Sequence, residues 1–314
     1  MAENTVYAVT RVRAREKGCL SAAFLESMLA AGSEDEARRL LQDKGWPGGD
    51  TETMLHAAER ELIAFLREIL PGETDLLAPV TLRADYHNLK AALKESLRES
   101  AVALDVPGGE VPYEKLRAAL MREDFSSLPE ALAVPAQKAL ALLRETHDGR
   151  RSDAIVDRAY MERLWEMCQK RDEVCRAYAE AELLKGCVKT AVRAARMGCD
   201  AGFLEEALPE CGPIGKNELI LAARRGEEGV SELLEKRGWK PESLSSLAAF
   251  ECAADSRLMR ALRQTRTAIE GTAPVFAFYL ARQSEIRTVR ILLTGLRVSA
   301  DPALLRERIR ESYV

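Results

Sequence analysis

Asp85-Tyr-His-Asn-Leu-Lys-Ala-Ala-Leu-Lys94 is the first of three segments that align without gaps. The others are Leu184-Lys-Gly-Cys-Val-Lys-Thr-Ala-Val-Arg193 and Glu285-Ile-Arg-Thr-Val-Arg-Ile-Leu-Leu-Thr294, and each has an apolar residue followed by a base at its fifth and sixth places. The segments begin at 85, 184 and 285, which is 99 and then 101 residues apart in a chain of 314. A period close to one third of the chain indicates three related units.

A second repeated sequence pattern supports duplication within the chain. Phe24-Leu-Glu-Ser-Met-Leu29 precedes Leu40-Leu-Gln-Asp-Lys-Gly-Trp46, and Phe203-Leu-Glu-Glu-Ala-Leu208 precedes Leu233-Leu-Glu-Lys-Arg-Gly-Trp239. We therefore divide the chain into helical repeats at 1–100, 101–200 and 201–314, with the N-terminal helix able to pack with the C-terminal unit instead.

The spacing of apolar residues predicts an all-α protein. No window shows the apolar-polar alternation of a half-exposed strand, whereas Glu52 to Leu70 carries an apolar stripe at helical spacing that Pro71-Gly72 ends. From Ser152 to Met197 the chain has no proline. That stretch predicts one very long helix, or two nearly coaxial helices broken near Gly186, with Ser152 or Asp153 as N-cap and Gly198 as the stop.

Bulk properties and missing motifs exclude several classes of protein. The net charge of −4 leaves no basic excess for a nucleic-acid backbone, and the longest apolar runs are far shorter than the ~20 residues of a membrane span. The first residues lack the apolar core of a secretory signal, so we expect a cytoplasmic protein. A phosphate-binding G-x-x-x-x-G-K-[ST] loop is absent, and we expect no catalytic residue, metal or cofactor.

The seven cysteines include four at an interval of twelve residues: Cys175, Cys187, Cys199 and Cys211. Successive members would lie about 120° apart around a helix and about 18 Å apart along its axis, so they cannot converge on a metal while the segment is helical. We interpret them as small buried hydrophobic residues.

Three stretches together resemble the C (or d) central-stalk subunit family of vacuolar/archaeal-type rotary ATPases, over nearly the whole chain. Tyr7-Ala-Val-Thr-Arg-Val-Arg-Ala-Arg-Glu16 is similar to the family's opening Y-x3-R-x-R-A-x-E pattern, and Asp85-Tyr-His-Asn-Leu-Lys90 is similar to its D-x-x-N-L-K signature. The stretch from Pro274 to Arg290 resembles the closing pattern, in which an apolar helix leads into E-x-x-N-[IL]-R.

The resemblance implies three similar helical domains around a pseudo-threefold axis, arranged as a funnel. It also implies a non-catalytic subunit that grips the rotor shaft subunits (D/F type) and sits on the membrane proteolipid ring, one copy per complex. Such a subunit would be peripheral on the cytoplasmic face of the membrane and would link ATP hydrolysis or synthesis to H⁺ or Na⁺ transport.

Candidate partner-interface residues come from the repeated segments, and they are Asp85, Asn88, Lys90, Lys189, Arg193, Glu285 and Arg290. The middle copy has Leu184 and Cys187 in place of the acid and Asn, and the last has Thr288 in place of Asn, so the polar pair is not required uniformly. An alternative for Asp85 is structural: an acid near a helix N-terminus, favoured by the dipole, with Lys90 and Lys94 solvated.

A rival hypothesis is a free-standing α-helical repeat adaptor that presents a concave surface to other proteins. It explains the composition and the repeats equally well, but not the order of the motifs at both ends of the chain. A helical enzyme using Asp85 and Glu285 is a third alternative, and neither acid has a nucleophile or cofactor loop near it in sequence.

Overall fold

The computed structural model describes residues 2–70, 74–96 and 108–314, and the side chains of residues 2–4 and 74–75 are left out. Within these residues the chain is all-α, as predicted, and contains no strand. Two short 3₁₀ helices, Pro241–Leu244 and Thr265–Thr267, flank the α-helix Leu247–Gln264. The α-helices are α1 (Ala2–Glu16), α2 (Ala22–Ala30), α3 (Glu34–Asp43), α4 (Thr51–Ile69), α5 (Thr74–Glu95), α6 (Tyr113–Arg122), α7 (Glu130–Thr146), α8 (Gly149–Cys168), α9 (Glu173–Met197), α10 (Ala201–Ala207), α11 (Lys216–Ala223), α12 (Glu227–Lys236), α13 (Leu247–Gln264), α14 (Ala273–Arg297) and α15 (Pro302–Arg306).

The chain divides into two compact units. The first unit comprises Met1–Leu76, Asp172–Ala177 and Lys240–Val314, and the second comprises Leu77–Arg171 and Tyr178–Trp239. The three repeats predicted at 1–100, 101–200 and 201–314 stay a prediction. No helix in the described parts of the chain is both long and apolar enough to cross a membrane.

In the first unit α14 is the central helix, and α1, α2, α3, α4 and α13 all pack against it. Its residues Ile286, Val289 and Leu293 are at most 4% exposed and recur at the spacing of one helix face. They join a core that includes Met28 and Leu41 of α2 and α3. Burying each such side chain stabilises the fold by about 1.5–3 kcal/mol.

In the second unit α5 contributes the buried face Tyr86, Leu89 and Leu93. This face packs with α6, α7 and Val156 of α8 in one core, and the Tyr86 hydroxyl donates to the backbone oxygen of Ala131 at 2.6 Å. The rest of the unit is a series of helices that pack in pairs: α8 with α10, α10 with α11, and α11 with α12.

The helix predicted over 52–70 is confirmed as α4, whose N-cap Asp50 accepts a hydrogen bond from the backbone N–H of Thr53. Its predicted terminator, Pro71-Gly72, lies outside the described residues. The prediction that Gly198 ends the helix is also confirmed. Gly198 has φ +64°, and the backbone N–H of Cys199 donates to the oxygen of Ala194, closing α9.

Both alternatives for the stretch from 152 to 197 are wrong. The chain leaves the helix after Cys168 and re-enters it at Glu173, because Asp172 caps the backbone N–H groups of Val174 and Cys175. Gly186 lies inside α9, where a Cβ would stand 2.7 Å from Sδ of Met161. That glycine therefore permits close helix packing and does not break the helix. The N-cap of α8 is Asp148, not Ser152 or Asp153.

The second repeated pattern is confirmed only in its tryptophan half, because Phe24 lies on α2 whereas Phe203 lies on α10, ahead of the hairpin α11–α12. The two tryptophan segments form the same helix ending. The N–H of Trp46 donates to the oxygen of Leu41, and that of Trp239 donates to the oxygen of Leu234. The preceding glycines, Gly45 and Gly238, have φ +85° and +82°. In both cases a left-handed glycine closes the second helix of a hairpin, α2–α3 or α11–α12, and the following tryptophan is buried.

Candidate partner interface

Asp85 lies in the interior of α5 and is 5% exposed, so its predicted position near a helix N-terminus is wrong. Its Oδ1 accepts a hydrogen bond from the backbone N–H of Val111, 2.9 Å away, in the segment ahead of α6. Burial raises the pKa of Asp85, while its hydrogen bonds from the backbones of Val111 and Glu110 act in the opposite direction. A Cβ at Gly109 would overlap the carboxylate, so glycine is needed for this approach.

Glu285 makes the equivalent contact in the first unit. Its carboxylate accepts from the backbone N–H of Leu20, ahead of α2, and from the guanidinium of Arg282 on its own helix. Burial raises the pKa of Glu285, and Arg282 opposes the shift. Each acid thus binds the N–H of a residue two positions before a helical hairpin begins, since α2 starts at Ala22 and α6 at Tyr113.

The receiving segments share a pattern that was not predicted from the sequence. They read Gly18-Cys-Leu20, Gly109-Glu-Val111 and Gly212-Pro-Ile214, and each apolar third residue is followed five places later by a buried leucine. Those leucines are Leu25, Leu116 and Leu219, on α2, α6 and α11. This spacing of glycine, apolar residue and leucine is visible in the sequence, but it fixes only three of eight positions. Its role becomes clear only when the structure shows the acids that bind these segments.

The third copy lacks the acid. Leu184 stands at the position of Asp85 and Glu285, and its side chain cannot accept a hydrogen bond. Gly212 is nevertheless close to α9, because a Cβ there would lie 3.2 Å from Cδ2 of Leu183. Apolar packing therefore holds the segment ahead of α11, where a carboxylate holds the other two.

The other α5 candidates are also engaged within the second unit. Asn88 is 3% exposed, and Nζ of Lys90 donates to Oδ1 of Asp157 on α8. Nζ of Lys94 lies 2.7 Å from Oδ2 of Asp153, which is also on α8. The prediction that both lysines are solvated is therefore wrong for Lys90, which is half-buried, and right for Lys94, which is exposed. Both lysines pair with acids of α8 and so join α5 to that helix.

The remaining candidates are more accessible. Arg193 near the end of α9 is exposed, and Lys189 one turn earlier is half-buried. Arg290 on α14 is exposed and lies 3.4 Å from Glu52 on α4. The structure thus places Asp85, Asn88, Lys90, Lys189 and Arg193 in the second unit and Glu285 and Arg290 in the first.

The cysteines and the acids are also the side chains to consider for a possible metal site. The described residues contain no group of three or more His, Cys, Asp or Glu side chains that could hold a metal ion. Cys175 and Cys187 are buried as predicted, while Cys199 and Cys211 are only half-buried because α9 ends at Met197. Burial raises the pKa of Cys187 to about 12, which keeps that thiol protonated and unreactive.

Comparison with known proteins gives one family over nearly the whole chain. Residues 8–308 match the family described as ATP synthase (C/AC39) subunit. The chain is also 23% identical, over 320 aligned positions, to the C subunit of the V-type sodium ATPase of Enterococcus hirae. That alignment covers 96% of this chain and 97% of the relative.

Proposed function

Because the chain belongs to the ATP synthase (C/AC39) subunit family, we propose that it is the central-stalk coupler of a V/A-type rotary ATPase. In this role it joins the rotor shaft subunits (D/F type) to the membrane proteolipid ring and links ATP hydrolysis or synthesis to H⁺ or Na⁺ transport. The match over residues 8–308 carries the proposal, since it includes all three repeated segments.

The proposed work is mechanical and not catalytic. A coupler must pass torque between two partners without absorbing it, and closely packed helices have low compressibility and transmit strain. Helix α14 supports this role, because five helices of its unit pack around it and every residue from Pro274 to Ala281 is buried. We place the chain on the cytoplasmic face of the membrane as a peripheral subunit, in one copy per complex.

Internal similarity between segments of the chain supports the proposal. Two acids at equivalent repeat positions make the same contact, and two hairpins end in the same glycine-tryptophan turn. We propose that the predicted repeats form three related bundles around a central hollow. The buried acids then hold the bundles together internally, and the exposed Arg193 and Arg290 are the better candidates for contact with the shaft.

Co-purification tests the proposal. The tagged chain is expressed in its native host, extracted with a mild detergent, and its partners are identified by mass spectrometry. We expect both shaft and proteolipid subunits at fixed stoichiometry. Soluble partners alone would contradict the coupler and favour the free-standing adaptor.

A further inference from the structure

The hairpin α11–α12 carries an open groove of about 600 Å³ that is lined by apolar and charged side chains. Ala222 and Leu233 are buried at its floor, and Leu221 at its edge is 61% exposed. The remaining lining side chains are charged, and they are Glu218, Arg224, Arg225 and Lys236.

The charges of the groove do not balance. Its one acid, Glu218, is already bound by Arg237, with Oε2 2.5 Å from Nη2. Arg225 lies 3.5 Å from Glu232. Arg224 and Lys236 are exposed, and neither forms an ion pair with any residue that the structure describes. Two uncompensated cations therefore flank an exposed leucine.

The equivalent hairpin α2–α3 shows that the fold does not require this surface. Gly212 and Leu219 stand 194 residues after Gly18 and Leu25, and Trp239 stands 193 after Trp46. In the same register, Leu221, Arg224 and Lys236 correspond to Ser27, Ala30 and Asp43. One hairpin thus has an exposed leucine between cations where its counterpart has small or acidic residues.

Acidic residues elsewhere on the hairpin limit the kinds of ligand that can bind in the groove. Helix α12 also carries the exposed acids Glu228, Glu232 and Glu235, none more than about 100° from Lys236 around the helix. A broad anionic surface such as a membrane or a nucleic-acid backbone would meet these three acids together with the cations. A narrow ligand that enters only the groove would meet the cations and Leu221, and a short amphipathic helix has that shape.

We propose that this groove binds a short acidic amphipathic helix of a partner subunit in the same ATPase. Acidic side chains of that helix pair with Arg224 and Lys236, and an apolar side chain covers Leu221. The inference rests on the proposed function, because it takes the partner from the assembled complex. Arginine suits this contact, since its planar group can bind a carboxylate through two parallel hydrogen bonds.

Charge reversal in the intact complex tests the proposal. The double variant Arg224→Glu/Lys236→Glu is compared with Arg39→Glu/Arg60→Glu, which changes the net charge equally at exposed positions on α3 and α4. We expect the first variant to retain at least tenfold less of one partner subunit in detergent co-purification, while the second retains wild-type amounts. A thermal melt of each purified chain shows whether the variant is folded.

The possible outcomes separate this inference from the proposed function. If the wild-type chain recovers neither shaft nor ring subunits, the proposed function is wrong. If the wild-type chain recovers them and both double variants do so equally, the groove is not the contact and the inference is wrong.

A photo-crosslinking residue in place of Leu221 identifies the occupant. We expect an adduct with a helical segment rich in Asp and Glu, and replacing one of its acids by Lys should restore binding to the Arg224→Glu/Lys236→Glu variant. An adduct with lipid, an adduct with a segment without acids, or no adduct at all would overturn the proposal.

Discussion

Asp85 and Glu285 use buried carboxylates to bind backbone N–H groups, a contact that stabilises the fold directly. A buried N–H group that loses its acceptor costs about 1–3 kcal/mol. Both residues were predicted as interface candidates because they are polar and repeated. Sequence alone could not distinguish an exposed acid from a buried one whose partner is 26 residues away or, for Glu285, 265 residues away.

The first prediction concerns Asp85. Asp85→Ala should lower the free energy of unfolding by about 1–3 kcal/mol, because the N–H of Val111 stays buried without its acceptor. Asp85→Asn keeps an oxygen acceptor and should cost less. Urea unfolding of the purified chain measures both, with Lys115→Ala as the exposed control. Unchanged stability of Asp85→Ala together with weaker shaft binding would instead support a direct interface role.

The second prediction concerns pH. The guanidinium of Arg297 binds Glu34 at 2.7 and 2.9 Å and is the main cause that lowers the pKa of Glu34 to about 2. A glutamate in the unfolded chain titrates at about pH 4.3, so the ion pair stabilises the fold above that pH. Its contribution should be lost as the pH falls from about 4.3 towards 2.

Urea unfolding at about pH 5 and about pH 3 checks this direction. The advantage of the wild-type chain over Glu34→Gln should shrink at the lower pH. Arg297→Gln should remove the same pH-dependent part of the free energy of unfolding, because it takes away the cation that pairs with Glu34. An advantage that grows on acidification would contradict the assigned ion pair.

At the scale of elements, helix existence followed from sequence more reliably than helix ends. The stripe of α4 and the glycine stop of α9 are local signals, and both were confirmed. The break between α8 and α9 was missed because its signal is a single capping aspartate, Asp172, in a polar run without glycine or proline. Gly186 was wrongly interpreted as a possible helix break, since the reason for this glycine is contact with Met161, which is distant in sequence.

The third prediction compares the segments ahead of the three hairpins. The amides of Leu20 and Val111 are bound by carboxylates, whereas Leu184 offers no acceptor to the segment that contains Ile214. Hydrogen exchange should therefore be slower at Leu20 and Val111 than at Ile214, by roughly tenfold or more.

Two-dimensional NMR of the exchanging chain measures these rates. Asp85→Ala serves as the matched variant and should bring the exchange of Val111 close to that of Ile214. Equal protection at all three positions in the wild-type chain would show that the carboxylates are not what holds these segments.

The fourth prediction concerns the α11–α12 hairpin. A Cβ at Gly229 would lie 2.7 Å from Cβ of Arg225 and would overlap the backbone oxygen of Ala222. Gly229→Ala should therefore separate the two helices and lower the melting temperature, although alanine is the better helix former. Gly149→Ala, which meets no atom within 4 Å, should be neutral or stabilising. Calorimetry of both variants checks the contrast, and a stabilised Gly229→Ala would contradict the close packing.

At the scale of the whole molecule, the all-α class and the family could both be predicted from the sequence. Both rest on features spread along the chain: apolar residues at helical spacing and three motifs in a fixed order. The candidate interface was harder to predict, because burial depends on packing between distant segments. The groove on α11–α12 was missed for the same reason, since only the turn at Gly226 brings Leu221 and Lys236 to one surface.

The coupling role itself is tested most directly in membranes that lack this chain. ATP hydrolysis and ATP-driven ion uptake are measured in the same vesicles, before and after the purified chain is added back. We predict that ion uptake is lost while hydrolysis continues, and that adding the chain restores uptake. Ion uptake that persists without the chain, or hydrolysis that disappears together with uptake, would contradict a mechanical coupler.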